Sequence, residues 1–78
     1  MRSVYFRVKE LRIKIRVVGK EPKVVELGGD RKKVSEMLRE LGLLSEEYIV
    51  MKGRRVLTDE DVVADGDEVV LVPVVSGG

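Results

Sequence analysis

The sequence predicts an α+β domain in which one amphipathic helix packs against one mixed β-sheet. Apolar residues alternate with polar ones in the first part of the chain, at the period of a half-buried strand. A later segment, residues 34–41, repeats apolar residues at the period of a helix. Near the C-terminus, residues 69–72 form a mostly β-branched run, typical of a strand buried on both faces.

Length and composition exclude several classes of protein. The chain has 78 residues, enough for one domain with a thin core. It contains no cysteine and no histidine, which excludes disulfides, thiolate or imidazole catalysis and any zinc site built from these residues. The sequence has no apolar run of about 18 residues and no signal-peptide core. We therefore expect a cytoplasmic protein that does not associate with membranes.

The N-terminal third predicts a β-hairpin. Residues 11–18 form its first strand, because apolar and basic residues alternate there. The apolar residues before it follow the opposite phase, so residues 1–10 are a candidate N-terminal extension. A turn is predicted at residues 19–22, which contain Gly19 and Pro22, and residues 23–27 form the second strand.

A helix is predicted around four apolar residues at three- and four-residue spacings, namely Val34, Met37, Leu38 and Leu41. Asp30 is its candidate N-cap, which places the basic residues 31–33 in the first helical turn. Gly42 fits the position just after the helix C-terminus. Leu43 and Leu44 are expected to pack beneath the sheet.

Short elements are predicted in the second half of the chain. Residues 48–52 form a third strand, and residues 55–57 form a fourth after the turn at Gly53. The segment 58–61 has the form of a capping box, with a hydroxyl residue followed three positions later by an acid. We therefore predict a single helical turn through residues 62 and 63.

The final strand completes the predicted fold. A tight turn at residues 65–67 leads into it. Because this strand is the most apolar, we place it at the centre of the sheet beside the first strand. This order of elements describes a β-grasp, ubiquitin-like fold with a mixed sheet of four to five strands and one main helix.

Familiar catalytic and ligand-binding patterns are absent from the sequence. The acidic residues between 59 and 67 do not follow calcium-loop spacing, because Val63 occupies the fifth position. The pair Gly28-Gly29 lacks the other residues of a phosphate-binding loop. No hydroxyl nucleophile has a histidine partner. No metal site is expected.

A basic strand face is the one feature that points to nucleic acid. It consists of Arg12, Lys14 and Arg16. Cations of this kind can contact phosphates, but the chain has only three aromatic residues on which bases could stack. Nucleic acid is therefore not the expected partner.

The C-terminal tail carries the strongest functional signal. Pro73 has no N–H for a sheet ladder, so the regular strand should stop there and residues 73–78 should form a flexible tail. Fully extended, this tail reaches about 20 Å at about 3.3 Å per residue. Gly77 and Gly78 have no Cβ. The tail can therefore thread a narrow channel and place its terminal carboxylate in a partner's active site.

The sequence from about residue 65 to the C-terminus resembles a known family. The segment leads into the final strand through Gly66-Asp67-Glu68 and ends with Pro73-Val74-Val75-Ser76-Gly77-Gly78. Both stretches are similar to those of ubiquitin-like sulfur carriers. This family includes the small subunit of molybdopterin synthase, the thiamine sulfur carrier and the archaeal ubiquitin-like small modifiers. Val74 departs from the molybdopterin synthase pattern, which often has a second proline there. In the rest of the chain, only the order of the strands and the helix resembles that of the family.

The resemblance implies a carrier or modifier rather than an enzyme, or the non-catalytic small subunit of a synthase. A partner similar to ubiquitin-activating adenylyltransferases would bind ATP and Mg²⁺ and adenylate Gly78, and this chain would hold no cofactor. A persulfide donor would then form a thiocarboxylate for molybdopterin, thiamine or tRNA thiolation. A lysine of a target protein would instead form an isopeptide. Gly77 and Gly78 are the activated terminus, and the threading residues are Pro73, Val74, Val75 and Ser76.

An alternative hypothesis is a β-grasp interaction adaptor with an incidental tail, whose partner would still bind a chain lacking residues 73–78. Under either hypothesis we expect residues 1–78 to form a single ubiquitin-like domain that is a monomer when free. An apolar patch on the sheet should complete the interface with the partner. The sequence does not name the residues of that patch, and it does not separate sulfur transfer from protein conjugation.

Overall fold

The computed structural model describes residues 10–74. The strands in chain order are β1 (Glu10–Val17), β2 (Lys23–Gly28), β3 (Arg31–Lys33), β4 (Tyr48–Lys52), β5 (Arg55–Leu57), β6 (Val62–Ala64) and β7 (Glu68–Pro73). Helix α1 (Val34–Glu40) follows β3, and a 3-10 helix, Ser45–Glu47, precedes β4. Nine residues of the predicted N-terminal extension and the last four tail residues lie outside the described range. Glu10, the last residue of the predicted extension, is the first residue of β1.

The larger sheet confirms the predicted β-grasp plan. Its strand order is β2-β1-β7-β4-β5. β1 and β2 form the predicted antiparallel hairpin, and β7 lies parallel to β1 and antiparallel to β4. The first and last long strands therefore meet at the centre of the sheet, as predicted. No helix within residues 10–74 is long and apolar enough to cross a membrane.

The core lies between α1 and the inner face of this sheet. Alternate residues of the strands point toward the helix, as period-two patterning requires. Leu71 lies at its centre, fully buried, opposite Val17 on β1 and Val50 on β4. The buried set comprises Leu11, Ile13, Ile15, Leu27, Val34, Met37, Leu38, Val50, Leu57, Val63, Val69 and Leu71.

Replacing Leu71 should therefore cost more stability than any surface change. We expect Leu71→Ala to lower the free energy of unfolding by about 3 kcal/mol, because it leaves a cavity in a tightly packed region. Leu44→Ala is the matched control, since Leu44 is 57% exposed rather than packed beneath the sheet as predicted. It should change stability by less than about 0.5 kcal/mol. Urea unfolding of both variants measures the difference.

Helix α1 ends as predicted. Gly42 has a φ of +75°, which glycine adopts without steric cost. Its N–H donates to the carbonyl of Arg39 at 3.0 Å, and the next N–H, that of Leu43, donates to Leu38 at 2.8 Å. This pair of bonds is a Schellman motif. It turns the chain so that Leu43 packs against the core.

The start of α1 differs from the prediction. Residues 31–33 form β3, paired with β6, and the helix begins at Val34. Asp30 is therefore not the N-cap. Lys33 occupies that position, and its N–H donates to the carboxylate of Glu36 at 3.0 Å. A three-residue strand of basic residues has no alternating apolar pattern, which is why sequence periodicity missed it.

The basic residues just before α1 have acidic partners. Lys32 forms an ion pair with Glu40, and Lys33 forms one with Glu60 at 3.0 Å. The hydrogen bond that the Lys33 ammonium group donates to the Glu60 carboxylate raises the pKa of Lys33. These pairs balance two of the three cations that precede the helix.

The predicted helical turn after residue 61 is also wrong. Residues 62–64 form β6, and the preceding segment is a turn. The carboxylate of Asp61 accepts hydrogen bonds from the N–H of Thr58 at 2.7 Å and from its hydroxyl at 3.2 Å. Asp61 thus bonds back to Thr58, as in a capping box. The residues that follow nonetheless form an extended strand, because they pair with β3.

This turn should make part of the stability depend on pH. The hydrogen bond from the Thr58 N–H lowers the pKa of Asp61 below its ordinary value of 3.8. The carboxylate therefore stabilises the fold above that value, and the contribution is lost as pH falls through the folded pKa. Asp61→Asn should lower the Tm at neutral pH and flatten its decline below about pH 4. Thermal unfolding of both proteins between about pH 3 and pH 7 measures this difference, and parallel Tm curves would contradict it.

Candidate functional site

The C-terminal tail leaves the domain from the central strand of the sheet. Pro73 is the last residue of β7 and lies opposite Tyr48. Although proline has no N–H, the next residue still pairs, because the N–H of Val74 donates to the carbonyl of Glu47 at 2.8 Å. Val74 is 47% exposed. The tail therefore starts from a fixed, strand-like position.

Four of the predicted site residues cannot be placed. Val75, Ser76, Gly77 and Gly78 lie outside the described residues, and the assignments of the activated terminus and the threading segment remain predictions. The structure does place Pro73 and Val74, the first two threading residues, together at the end of β7.

A solvent-facing apolar surface lies beside the strand that carries the tail. We call it the outer patch, and its members come from β4, β5 and β7: Ile49, Met51, Val56, Val70 and Val72. They alternate with buried residues, so they occupy the sheet face opposite α1. Strand register places Ile49 opposite Val72, and Met51 between Val70 and Val56. Ile49 is 42% exposed and Val56 is 58% exposed.

The outer patch corrects one sequence prediction. β7 was predicted to be buried on both faces, but only its inner residues, Val69 and Leu71, are buried. Val70 and Val72 remain half-buried, because no element within residues 10–74 packs over the outer face. A contiguous exposed apolar surface of this kind is typical of a binding site.

Charge on the patch is limited to one side. On β1, the side chains of Arg12 and Lys14 pair with Glu26 at 3.2 Å and with Glu68 at 3.4 Å. Arg16 lies opposite Val70 and has no ion-pair partner among the described residues. Two of the three cations that suggested a phosphate-binding face are therefore balanced by carboxylates, and Arg16 is the unpaired one of the three beside the outer patch.

The acidic residues near β7 bind backbone and lysine groups. Asp65 accepts a hydrogen bond from the N–H of Arg12 at 2.8 Å, which ties the last turn to β1. Asp67 accepts one from the N–H of Ala64 at 2.9 Å and pairs with Lys52 at 3.0 Å. Within residues 10–74, no group of acidic side chains has the arrangement of a metal site. These carboxylates position β7, and with it the tail.

An apolar patch was expected on the sheet, but the sequence does not name its residues. The signal was present, since residues 49 and 51 alternate with inward-facing neighbours, as do 70 and 72. What the sequence lacked was the strand register, which brings β4 and β7 side by side and adds Val56 from β5.

Known proteins resemble this chain in sequence. The ThiS family model matches residues 15–78. An uncharacterized protein of Archaeoglobus fulgidus is 38% identical over 68 residues, which cover 87% of this chain and 100% of the relative. The sulfur carrier protein TtuB of Thermus thermophilus is 40% identical over 58 residues, covering 74% of this chain and 88% of TtuB.

Solved structures share the fold. The UBL domain of Plasmodium falciparum Dsk2 has a TM-score of 0.68 at 19% identity, covering 85% of this chain and 100% of that domain. Caldiarchaeum subterraneum ubiquitin has a TM-score of 0.61 at 24% identity, covering 90% of this chain and 100% of that protein. At these identities the likeness concerns the ubiquitin-like fold alone. Because the family model spans the domain from the middle of β1 through the diglycine, the chain belongs to the ThiS family.

Proposed function

We propose that this chain is a sulfur carrier or ubiquitin-like modifier whose Gly78 carboxylate is adenylated by a partner enzyme. The adenylate is then converted to a thiocarboxylate or to an isopeptide. The observation that carries the proposal is a diglycine terminus in a ThiS-family chain, following a strand end that is fixed beside an exposed apolar patch. The similarity to the sulfur carrier protein TtuB favours the sulfur route.

The chemistry requires a partner. A terminal carboxylate has a pKa near 3.5 and is ionised at neutral pH, which makes its carbon a poor electrophile. Adenylation joins one carboxylate oxygen to the α-phosphorus of ATP and releases pyrophosphate, so that AMP becomes a leaving group on the acyl carbon. The sequence contains no phosphate-binding loop motif, cysteine or histidine. We therefore assign ATP and Mg²⁺ to the activating partner, and the chain itself is the substrate.

The outer patch is the surface that docks on this partner. Its five apolar side chains include the outward-facing residues of β7, so a partner seated there covers part of the strand from which the tail departs. Arg16 at the edge of the patch favours a carboxylate on the partner. Beyond Val74, the extended tail pairs with the partner by strand addition, and its two glycines enter the active site.

The later fate of Gly78 depends on the nucleophile. A persulfide sulfur attacks the acyl carbon and displaces AMP, and a second thiol then cleaves the S–S bond, which leaves the thiocarboxylate on Gly78 and a disulfide on the donor. A lysine amine instead displaces AMP to give an isopeptide. The absence of a side chain on either glycine suits both reactions, since nothing hinders the approach to the acyl carbon. Molybdopterin, thiamine and tRNA thiolation remain the candidate destinations of the sulfur.

ATP–pyrophosphate exchange tests the proposal. A ThiS-type adenylyltransferase from the same organism should catalyse exchange only when this chain is present, because pyrophosphate is released as Gly78 is adenylated. A chain lacking residues 77–78 should not support exchange. If the enzyme binds the truncated chain equally well and no exchange occurs with either chain, the adaptor hypothesis is favoured.

A further inference from the structure

The two sides of β7 lose their neighbouring strands at different points. Backbone groups of successive residues in a strand point alternately to its two neighbours. The carbonyls of Asp67 and Leu71 accept hydrogen bonds from β1 at 3.0 Å each, and the register of β1 with β7 ends at Leu71. The N–H of Val74 donates instead to the carbonyl of Glu47, on the β4 side, at 2.8 Å. The β4 side of β7 therefore stays paired beyond the point where β1 has ended.

Pro73 lies where the lack of an N–H breaks no ladder bond. By this alternation, its nitrogen and its carbonyl face the β1 side. The chain has already left β1 there, because Gly19 adopts a φ of +90° and the N–H of Lys20 donates to the carbonyl of Val17 at 2.8 Å. That turn leads to β2, on the side of β1 away from β7. The Pro73 carbonyl therefore faces an edge that no strand within residues 10–74 pairs with.

We propose that an extended strand of the activating partner pairs with the tail along this edge, in line with β1 and beyond its end. We call it the open edge, and it begins with the carbonyl of Pro73. In the complex, the extended tail continues it with the N–H and carbonyl of Val75. The inference rests on the proposed activation of Gly78, and it states which side of the tail the partner occupies.

The outer patch brings the same partner to the open edge. Its members Val70 and Val72 belong to β7, and Val72 directly precedes Pro73. A partner that covers them therefore already lies beside the first free carbonyl. The other side of the tail is taken at its start, because the Glu47 carbonyl accepts the N–H of Val74. A strand on the open edge also satisfies backbone groups of the tail that a channel would otherwise bury unpaired.

The alternation makes the proposal specific for individual amides of the tail. The N–H of Val75 points to the open edge and hence to the partner strand. The N–H of Ser76 points to the opposite side, in continuation of the bond that Val74 makes to Glu47. Removing the first donor should therefore weaken the complex more than removing the second.

Single N-methyl groups placed on the tail test this difference. Full-length chains made by chemical synthesis carry the methyl group on the nitrogen of Val75 or of Ser76, which removes one donor and leaves every carbonyl in place. Calorimetric titration with the ThiS-type adenylyltransferase of the same organism measures affinity. N-methylation of Val75 should weaken binding at least about tenfold relative to the unmodified chain. It should also weaken binding at least about fivefold more than N-methylation of Ser76.

Thermal unfolding separates pairing with the partner from a role within the domain. N-methylation of Val75 should leave the Tm unchanged, because its N–H is assigned to the partner. N-methylation of Val74 should lower the Tm, because it removes the bond to Glu47. A Tm loss at Val75 as large as that at Val74 would overturn the proposal.

The binding data also distinguish the open edge from the activation of Gly78. Equal losses at Val75 and Ser76, or a larger loss at Ser76, would overturn the open edge. If the unmodified chain still supports pyrophosphate exchange, the activation would stand without it. The predicted loss at Val75 in a complex that shows no exchange would support the pairing and contradict the activation. No binding of the unmodified chain would overturn both.

Discussion

Removing Gly78 should abolish activation of the chain while leaving the domain folded. The C-terminal member of the buried core within residues 10–74 is Leu71, so we expect the fold to tolerate the loss of the last residue. The new terminal carboxylate on Gly77 would end about 3.3 Å short of its position in the intact chain. Misplacing a reacting group by about 1 Å can cost about 100-fold in rate, so we expect a loss of at least about 1000-fold.

Pyrophosphate exchange and thermal unfolding together measure this effect. The chain lacking Gly78 should show no exchange above background and an unchanged Tm. Leu44→Ala, an exposed change far from the tail in sequence, should keep full exchange. Exchange that persists in the truncated chain would show that the terminus is not the activated group, and a lowered Tm would show that the tail contributes to the fold.

Placing two acids on the outer patch should prevent docking of the activating partner. Ile49→Asp/Val56→Asp changes two exposed members of the patch that project from neighbouring strands. A carboxylate buried against an apolar partner surface is unpaired and costly. We expect binding to weaken by about 3 kcal/mol or more, which corresponds to a factor of about 100.

Val24→Asp provides the matched control for the patch. Val24 lies on the same outer face and is 61% exposed, but it belongs to β2, at the opposite edge of the sheet from β5. It adds the same charge outside the proposed interface. Calorimetric titration should show wild-type affinity for Val24→Asp and weak binding for the double variant. Equal losses in both would indicate a nonspecific effect of negative charge.

Regular periodicity made the larger elements predictable. The alternation through β1 and the helical spacing from Val34 to Leu41 each reflect one buried face. A periodic pattern of apolar residues arises when one face of a strand or helix is buried. Gly42 marked the end of α1, because Gly42 is the residue that follows the helix and its φ is positive, which favours glycine. The apolar β7 was placed correctly beside β1 for the same reason, since the most apolar strand belongs at the centre of the sheet.

Short elements and surfaces were not predictable in the same way. β3 and β6 have three residues each and depend on pairing with one another across about 30 positions of sequence. The acid at position 61 bonds back to Thr58, but local sequence could not show that a strand follows. The outer patch depends on the register between β4, β5 and β7, which is a property of the folded sheet.

The intact mass of the chain gives the most direct test of its role as a sulfur carrier. The protein is incubated with ATP, Mg²⁺ and an extract of the cells that produce it, with an established ThiS-family carrier as a positive control. Persulfide attack on the adenylate, followed by cleavage of the S–S bond by a second thiol, replaces one carboxylate oxygen of Gly78 by sulfur, which should raise the mass by about 16 Da. Species joined to other proteins through lysine isopeptides would support the modifier route. An unchanged mass, in an extract that converts the control carrier, would contradict activation at Gly78.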